Sequence, residues 1–198
     1  MNIIIAIILF IPILLYIFYN IFILKDKNYL KYTFIGIFTI YIFGLLKYAI
    51  FPIYINSMIA LEIHKTQSAV DNIMSNMNLT PFFNSFDLKD FFLNIIMTFP
   101  VGFLVPCIEK KNISQMIIWG LIIGVGIESI QLLLGFIQGF TFRNININDS
   151  IANLLGVLFG YVVLKIFIKI YIQVFENAKN RVLVYLMNYF KYNGSVFK

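Results

Sequence analysis

Glu128, Gln131, Arg143, Asp149 and Asn153 are acids, amides and a guanidinium set in a chain otherwise dominated by Ile, Leu and Phe. Two such acids can hold a cation, accept hydrogen bonds or exchange a proton, and a nearby guanidinium can pair with either acid or with an anion. The acids sit in two apolar runs of helical character, WGLIIGVGIESIQLLLG from Trp119 and NDSIANLLGVLFGYVV from Asn148. On the first helix Gly120, Gly124, Glu128, Gln131 and Gly135 fall within an arc of roughly 80°. On the second, Asn146, Asp149, Asn153, Gly156 and Gly160 fall within roughly 80°. A carboxylate at membrane depth costs several kcal/mol unless it faces a bundle interior, a partner or water, so the two stripes are expected to turn toward each other. Glycines at four-residue spacing permit the close helix approach this needs.

The chain has 198 residues, 61% of them hydrophobic and 12% charged, with a mean hydropathy of +0.88. A soluble domain carries about a quarter of its residues charged, so this composition indicates an integral membrane protein. The fold class is all-α: a polytopic membrane bundle of about five transmembrane helices at roughly 20 residues each, plus an amphipathic extracytoplasmic helix and an amphipathic C-terminal helix. The net charge of +6 does not indicate nucleic-acid binding, because the Lys and Arg residues stand at the ends of apolar runs and not in a basic patch with interleaved aromatics. One cysteine, Cys107, excludes an internal disulfide and a CxxC site. No metal site and no cofactor is expected.

Residues 3–24 read as a first retained span, with Pro12 inside it and Lys25 and Lys27 after it in place of a cleavage site. A second span runs from about Tyr32 to Ile55, with Lys47 snorkelling toward the far interface. Ile59, Ile63, Val70, Ile73, Met74 and Met77 recur at helical spacing and predict one amphipathic helix on the membrane or capping the bundle. NLTPFF, with Asn78 and Pro81, predicts an extended turn from which Phe82, Phe83 and Phe86 dip back into the apolar phase. Asp87 is the expected N-cap of a third span, Leu88 to Ile108, in which Asn94, Thr98 and Gly102 share a face and Pro100 and Pro106 bend the helix. The fourth and fifth spans are expected at 113–137 and 148–171, and Phe175, Ala178, Val182, Leu186 and Phe190 predict a basic amphipathic tail helix. This divides the chain into an N-terminal transmembrane helix (1–29), a four-helix core (30–172) and a tail (173–198).

Lysines cluster before the second span, before the fourth and after the fifth, whereas the 56–86 and Arg143 loops are poor in positive charge. The positive-inside rule then places the N-terminus outside the cell membrane and the C-terminus in the cytoplasm. Glu128, Gln131, Arg143, Asp149 and Asn153 fall in the outer half of the bilayer.

The stretches NLTPF (Asn78–Phe82), NIIMTFPVGF (Asn94–Phe103), Glu128 with Gln131, and RNININDSIANLLG (Arg143–Gly156) occur in an order and spacing that resemble the VanZ-like membrane proteins. The resemblance spans roughly residues 30–170. Asn146 departs from it, standing where an acidic residue is usual, and so does Gly124, at a position often held by a small hydroxyl residue. The resemblance implies a cell-envelope protein of the class named for a teicoplanin-resistance factor of Gram-positive bacteria. Its polar network would be Asn94, Glu128, Gln131, Arg143, Asp149 and Asn153, with Asn78, Pro81, Phe82, Pro100, Gly102, Gly156 and Gly160 as structural motif positions. The leading expectation is a non-enzymatic outer-leaflet pocket for a membrane lipid, a lipid-linked cell-wall precursor or a lipoglycopeptide, with Arg143 as the anion contact. A purely structural interhelical network of the same residues stands beside it. So do an intramembrane hydrolase using Glu128 and Asp149, and a small ion- or proton-linked transporter. The hydrolase lacks a Gly-x-Ser-x-Gly elbow and a His-Glu-x-x-His helix, and the single histidine, His64, falls on the amphipathic segment with a surface role. The transporter lacks inverted repeats.

Overall fold

The structure is a computed structural model describing residues 3–51, 53, 58–82, 87–141, 143–177 and 179–194. The elements in chain order are α1 (Ile3–Phe18), a π-helical turn (Tyr19–Ile23), α2 (Tyr29–Ile50), α3 (Met58–Ile63), α4 (Ala69–Ser75), β1 (Met77–Asn78), α5 (Leu88–Ile108), α6 (Ile113–Gln138), β2 (Ile145–Asn146), α7 (Ile147–Phe175) and α8 (Arg181–Gly194).

Local chemistry sets most of these boundaries. The Asp87 carboxylate accepts from the backbone N–H groups of Lys89 and Asp90 and so starts α5. Asn112 and Gln115 form a reciprocal capping box at the start of α6, which ends at Gly139 in the left-handed region, φ 76°. Asn146 caps α7 by accepting from Asn148 N–H at 3.1 Å.

Four helices, α2, α5, α6 and α7, are long and apolar enough to cross a membrane. Their outer faces carry Ile40, Ile96, Ile122, Leu133, Phe136 and Ile166, all exposed, as lipid contact requires. Of the five expected spans these four stand as long apolar helices; the first, α1 continued by the π turn through Ile23, ends at Lys25, whose φ is 54°. α1 leans on α2, with the Phe10 and Phe43 rings 5.5 Å apart.

α7 is the axis of the bundle, packed against α5 on one side and α6 on the other, with α2 across α5 and α6. A Cβ at Gly102 would overlap the Val157 carbonyl, one at Gly156 the Thr98 hydroxyl and Ile95 carbonyl, and one at Gly160 the Phe99 carbonyl. At the α6 contact a Cβ at Gly124 would lie 2.6 Å from Ser150 O. α5 runs on through Pro100 and Pro106.

The expected single amphipathic helix is two short ones. The chain turns at His64–Ser68, Ser68 caps α4, and of the stripe Ile73 is deeply buried, Ile63 and Met77 are half-buried, and Val70 and Met74 are exposed. The expected return of Phe83 and Phe86 to the apolar phase lies outside the described residues. The tail is likewise interrupted: α7 continues to Phe175 and α8 starts afresh at Arg181, with Met187, Tyr189 and Phe190 buried and Val182 exposed. α8 closes the end of the bundle where Cys107, Leu164 and Ile168 meet Leu30 and Phe34, and the Tyr189 hydroxyl donates to the Cys107 carbonyl.

Candidate functional site

At the end of the bundle opposite α8, the last turn of α2, the segment from α4 through β1, the first turns of α5 and α7 and the C-terminal half of α6 enclose a polar cavity of about 820 Å³. A two-residue parallel bridge closes one wall, with Met77 opposite Ile145 and Asn78 opposite Asn146. Its cause is legible in RNININDS, where Asn144, Asn146 and Asn148 alternate with Ile145 and Ile147. Alternation is the pattern of extended chain, and here it buries Ile145 while all three asparagines line the cavity. The wall is held from outside too: the Asn72 carboxamide oxygen accepts from Thr141 N–H at 3.1 Å, and His64 Nε2 lies 2.8 Å from the Gly139 carbonyl.

Glu128, only 8% exposed, accepts a 2.8 Å hydrogen bond from the backbone N–H of Asn146. The α6 acid thus fixes the start of α7. Asp149, one turn into α7, takes a hydrogen bond from the Asn94 side chain of α5 and lies within electrostatic range of Arg143, Asp87 and Asp90. Gln131 donates to the Ala49 carbonyl at 2.9 Å and Arg143 Nη2 to the Tyr48 carbonyl at 2.7 Å, so both satisfy carbonyls in the last turn of α2. The Arg143 guanidinium also lies 5.1 Å from the centre of the Tyr48 ring. Among the described residues the one ion pair joins Lys111 to Glu109, far from the cavity.

Five of the six expected network residues, Asn94, Glu128, Gln131, Arg143 and Asp149, line this one cavity. Asn153 does not. It is fully buried between α5 and α7, where its carbonyl accepts from the Thr98 hydroxyl at 2.9 Å and its side-chain amide has no partner among the described residues. Of the motif positions, Asn78 forms β1, and its side chain accepts from Thr80 N–H and hydroxyl. Pro81 and Phe82 form the turn beyond, where Phe82 N–H donates to Asn148 Oδ1 at 2.9 Å. Pro100, Gly102, Gly156 and Gly160 belong to the helix seam. Reading the sequence for intramembrane acids missed Asp87 and Asp90, taken only as caps, and Asn148; all three line the cavity.

Four long apolar helices packed together, with a polar cavity at one end, have the architecture of a helical membrane protein. The VanZ/LLP1 family matches residues 38–168, which include α5, α6, α7 as far as Ile168 and every cavity residue named above, and the chain belongs to that family. Among curated proteins and among solved structures nothing matches it.

Proposed function

We propose that this protein is a cell-envelope membrane protein that lowers susceptibility to teicoplanin-type lipoglycopeptides by binding the polar head of a lipid-linked wall precursor, or of the lipidated antibiotic, in the cavity. The observation that carries the reading is the position of the cavity at the end of the bundle remote from Lys25, Lys27, Lys110, Lys111, Lys179 and Arg181. By the positive-inside rule that end faces outward. In this arrangement α1 with its π turn is a fifth, N-terminal span with its start outside, residues 30–172 form the core, and α8 lies on the cytoplasmic leaflet.

The test is teicoplanin susceptibility of a Gram-positive host expressing wild type, Glu128→Gln, Arg143→Ala or Asp149→Asn, with membrane levels measured in parallel. Protection by wild type and its loss in equally abundant variants is the expected result. No protection by abundant wild type would sink the proposal. Hydrolysis of a bound head group by Glu128 and Asp149 is a second reading, favoured by their sharing one cavity; it requires product release that Glu128→Gln abolishes while binding persists.

A further inference from the structure

We propose that the cavity recognises its ligand through a primary ammonium group, with an acceptor oxygen of the same ligand meeting Asn148; this rests on the pocket reading above and names the chemistry the pocket takes. The first ground is charge. Asp87, Asp90, Glu128 and Asp149 line the cavity against a single cation, Arg143. That cation gives one N–H to the Tyr48 carbonyl and lies against the Tyr48 ring, while its Nε has no acceptor among the described residues, so it sets one positive charge against four acids. None of the four carboxylates has an ion pair among the described residues. Carboxylates collected in a partly desolvated cavity favour a cation among them.

The second ground is independent of the acids. Asn148 is 2% exposed and lines the cavity; its Oδ1 is occupied by Phe82 N–H, which fixes the amide orientation, and its Nδ2 has no acceptor among the described residues. A buried N–H without an acceptor is costly. It calls for an oxygen beside the ammonium, as an amino alcohol ester or an amino acid supplies.

Size and spacing choose among cations. No three acidic, His or Cys side chains among the described residues stand close enough to hold a metal ion, and about 820 Å³ is the volume of an organic head group. The flanking amides Asn94, Asn144 and Gln131 add neutral polar contacts that distinguish an N–H donor from a methylated nitrogen.

Two sources carry this chemistry, a lipid head group and a free amine. The full chain in nanodiscs would be presented with phosphatidylethanolamine, phosphatidylcholine or phosphatidylglycerol, and lipid retention read by native mass spectrometry. Free ethanolamine and free lysine would serve as soluble competitors. The expected result is preference for phosphatidylethanolamine over both other lipids by about tenfold, lost in Asp149→Asn and kept in Asp149→Glu. Asp90→Asn, at an exposed position, should weaken it by a few-fold without any burden on folding. Displacement by the soluble amines shows that a free ammonium with its neighbouring oxygen suffices for recognition; failure to displace assigns it to the lipid-borne group. Retention of phosphatidylglycerol equal to that of phosphatidylethanolamine, or a preference unchanged in monodisperse Asp149→Asn and Asp90→Asn, would overturn the proposal. Because binding is read directly, a protein that selects the amine yet gives no antibiotic protection refutes the envelope role and leaves this inference standing.

Discussion

The seam between α5 and α7 and the cavity beyond it are made from the same two helices, yet they are held together by opposite means. In the seam, Gly102, Gly156 and Gly160 bring backbone against backbone with no room for a Cβ. About two to three turns further along, the same helices present Asp90 and Asn94 on α5 and Asn148 and Asp149 on α7, and the contacts are hydrogen bonds, from Phe82 N–H to the Asn148 side chain and from the Asn94 side chain to Asp149. Lipid gives apolar side chains no reason to prefer a helix neighbour, so close packing of small residues must supply the adhesion. The cavity, whose groups prefer water or a ligand, contributes little adhesion and depends on the seam to hold its polar side chains in place. Function and stability should therefore be separable along the length of α5 and α7.

The largest effect that would break this division comes from the seam. Gly156→Val or Gly160→Val should destabilise the protein by about 3 kcal/mol or more, because the new side chain meets a backbone carbonyl of the facing helix, joined at Gly156 by the Thr98 hydroxyl, and a helix backbone cannot move aside. Thermal unfolding of detergent-purified protein reads this directly. Gly36 and Gly44 of α2, where a Cβ would meet nothing within 4 Å, are the matched controls. Gly44→Ala should be neutral or raise stability by up to about 1 kcal/mol. Equal losses at Gly156 and Gly44 would mean that helix approach in the seam is not what holds the bundle.

A smaller effect is expected at the boundary of the two regions, where Glu128 ties α6 to the first turn of α7. Glu128→Leu leaves the Asn146 N–H without its acceptor in a mostly buried setting, at a cost of about 2 kcal/mol. Glu128→Gln keeps an acceptor oxygen and should cost less than about 1 kcal/mol. Hydrogen exchange at Ile145–Asn148 would localise the change. If both substitutions cost the same, the charge and not the hydrogen bond secures the junction.

Much of this division is legible in the chain. Glycines four apart announce close helix approach but not the partner: the two stripes are expected to face each other, whereas Gly156 and Gly160 of α7 meet Thr98 and Phe99 of α5, and Gly120 and Gly124 of α6 meet Leu154 and Ser150 of α7. The caps Asp87 and Asn112 set two span boundaries from local chemistry alone. What the chain does not show is which partner each polar group selects. Arg143 has two carboxylates in prospect and satisfies a carbonyl of Tyr48, 95 residues away in sequence, because the end of α2 presents unmet acceptors. Asn153 continues the polar stripe by angle, yet lies too deep between the helices to reach the cavity. The amphipathic stripe of 59–77 overlooked Ser68, whose capping hydroxyl divides it into α3 and α4. Periodicity records a face, and long-range hydrogen bonds decide how far along it the chain stays regular.

The smallest predicted effect concerns the opposite end of the bundle, where titration should leave the cavity untouched. The Asp26 carboxyl is held below its usual value, first by the Tyr32 hydroxyl, which donates to it at 2.6 Å, and then by the Asn28 backbone N–H at 3.0 Å. A lowered acid contributes stability that is present above its unfolded value, about 3.9, and is lost as pH falls through the lower folded value. Tyr32→Phe removes the main cause, so it should melt slightly below wild type at pH 7, and the gap should close under acid conditions. Melting curves of both proteins at neutral and strongly acidic pH test it. A gap of the same size at both ends of the range would mean that Tyr32 acts through the packing of its own helix, α2, and not through Asp26. A change in cavity ligand binding in Tyr32→Phe would mean that the two ends of the bundle communicate through α2, whose last turn carries the carbonyls that Gln131 and Arg143 hold.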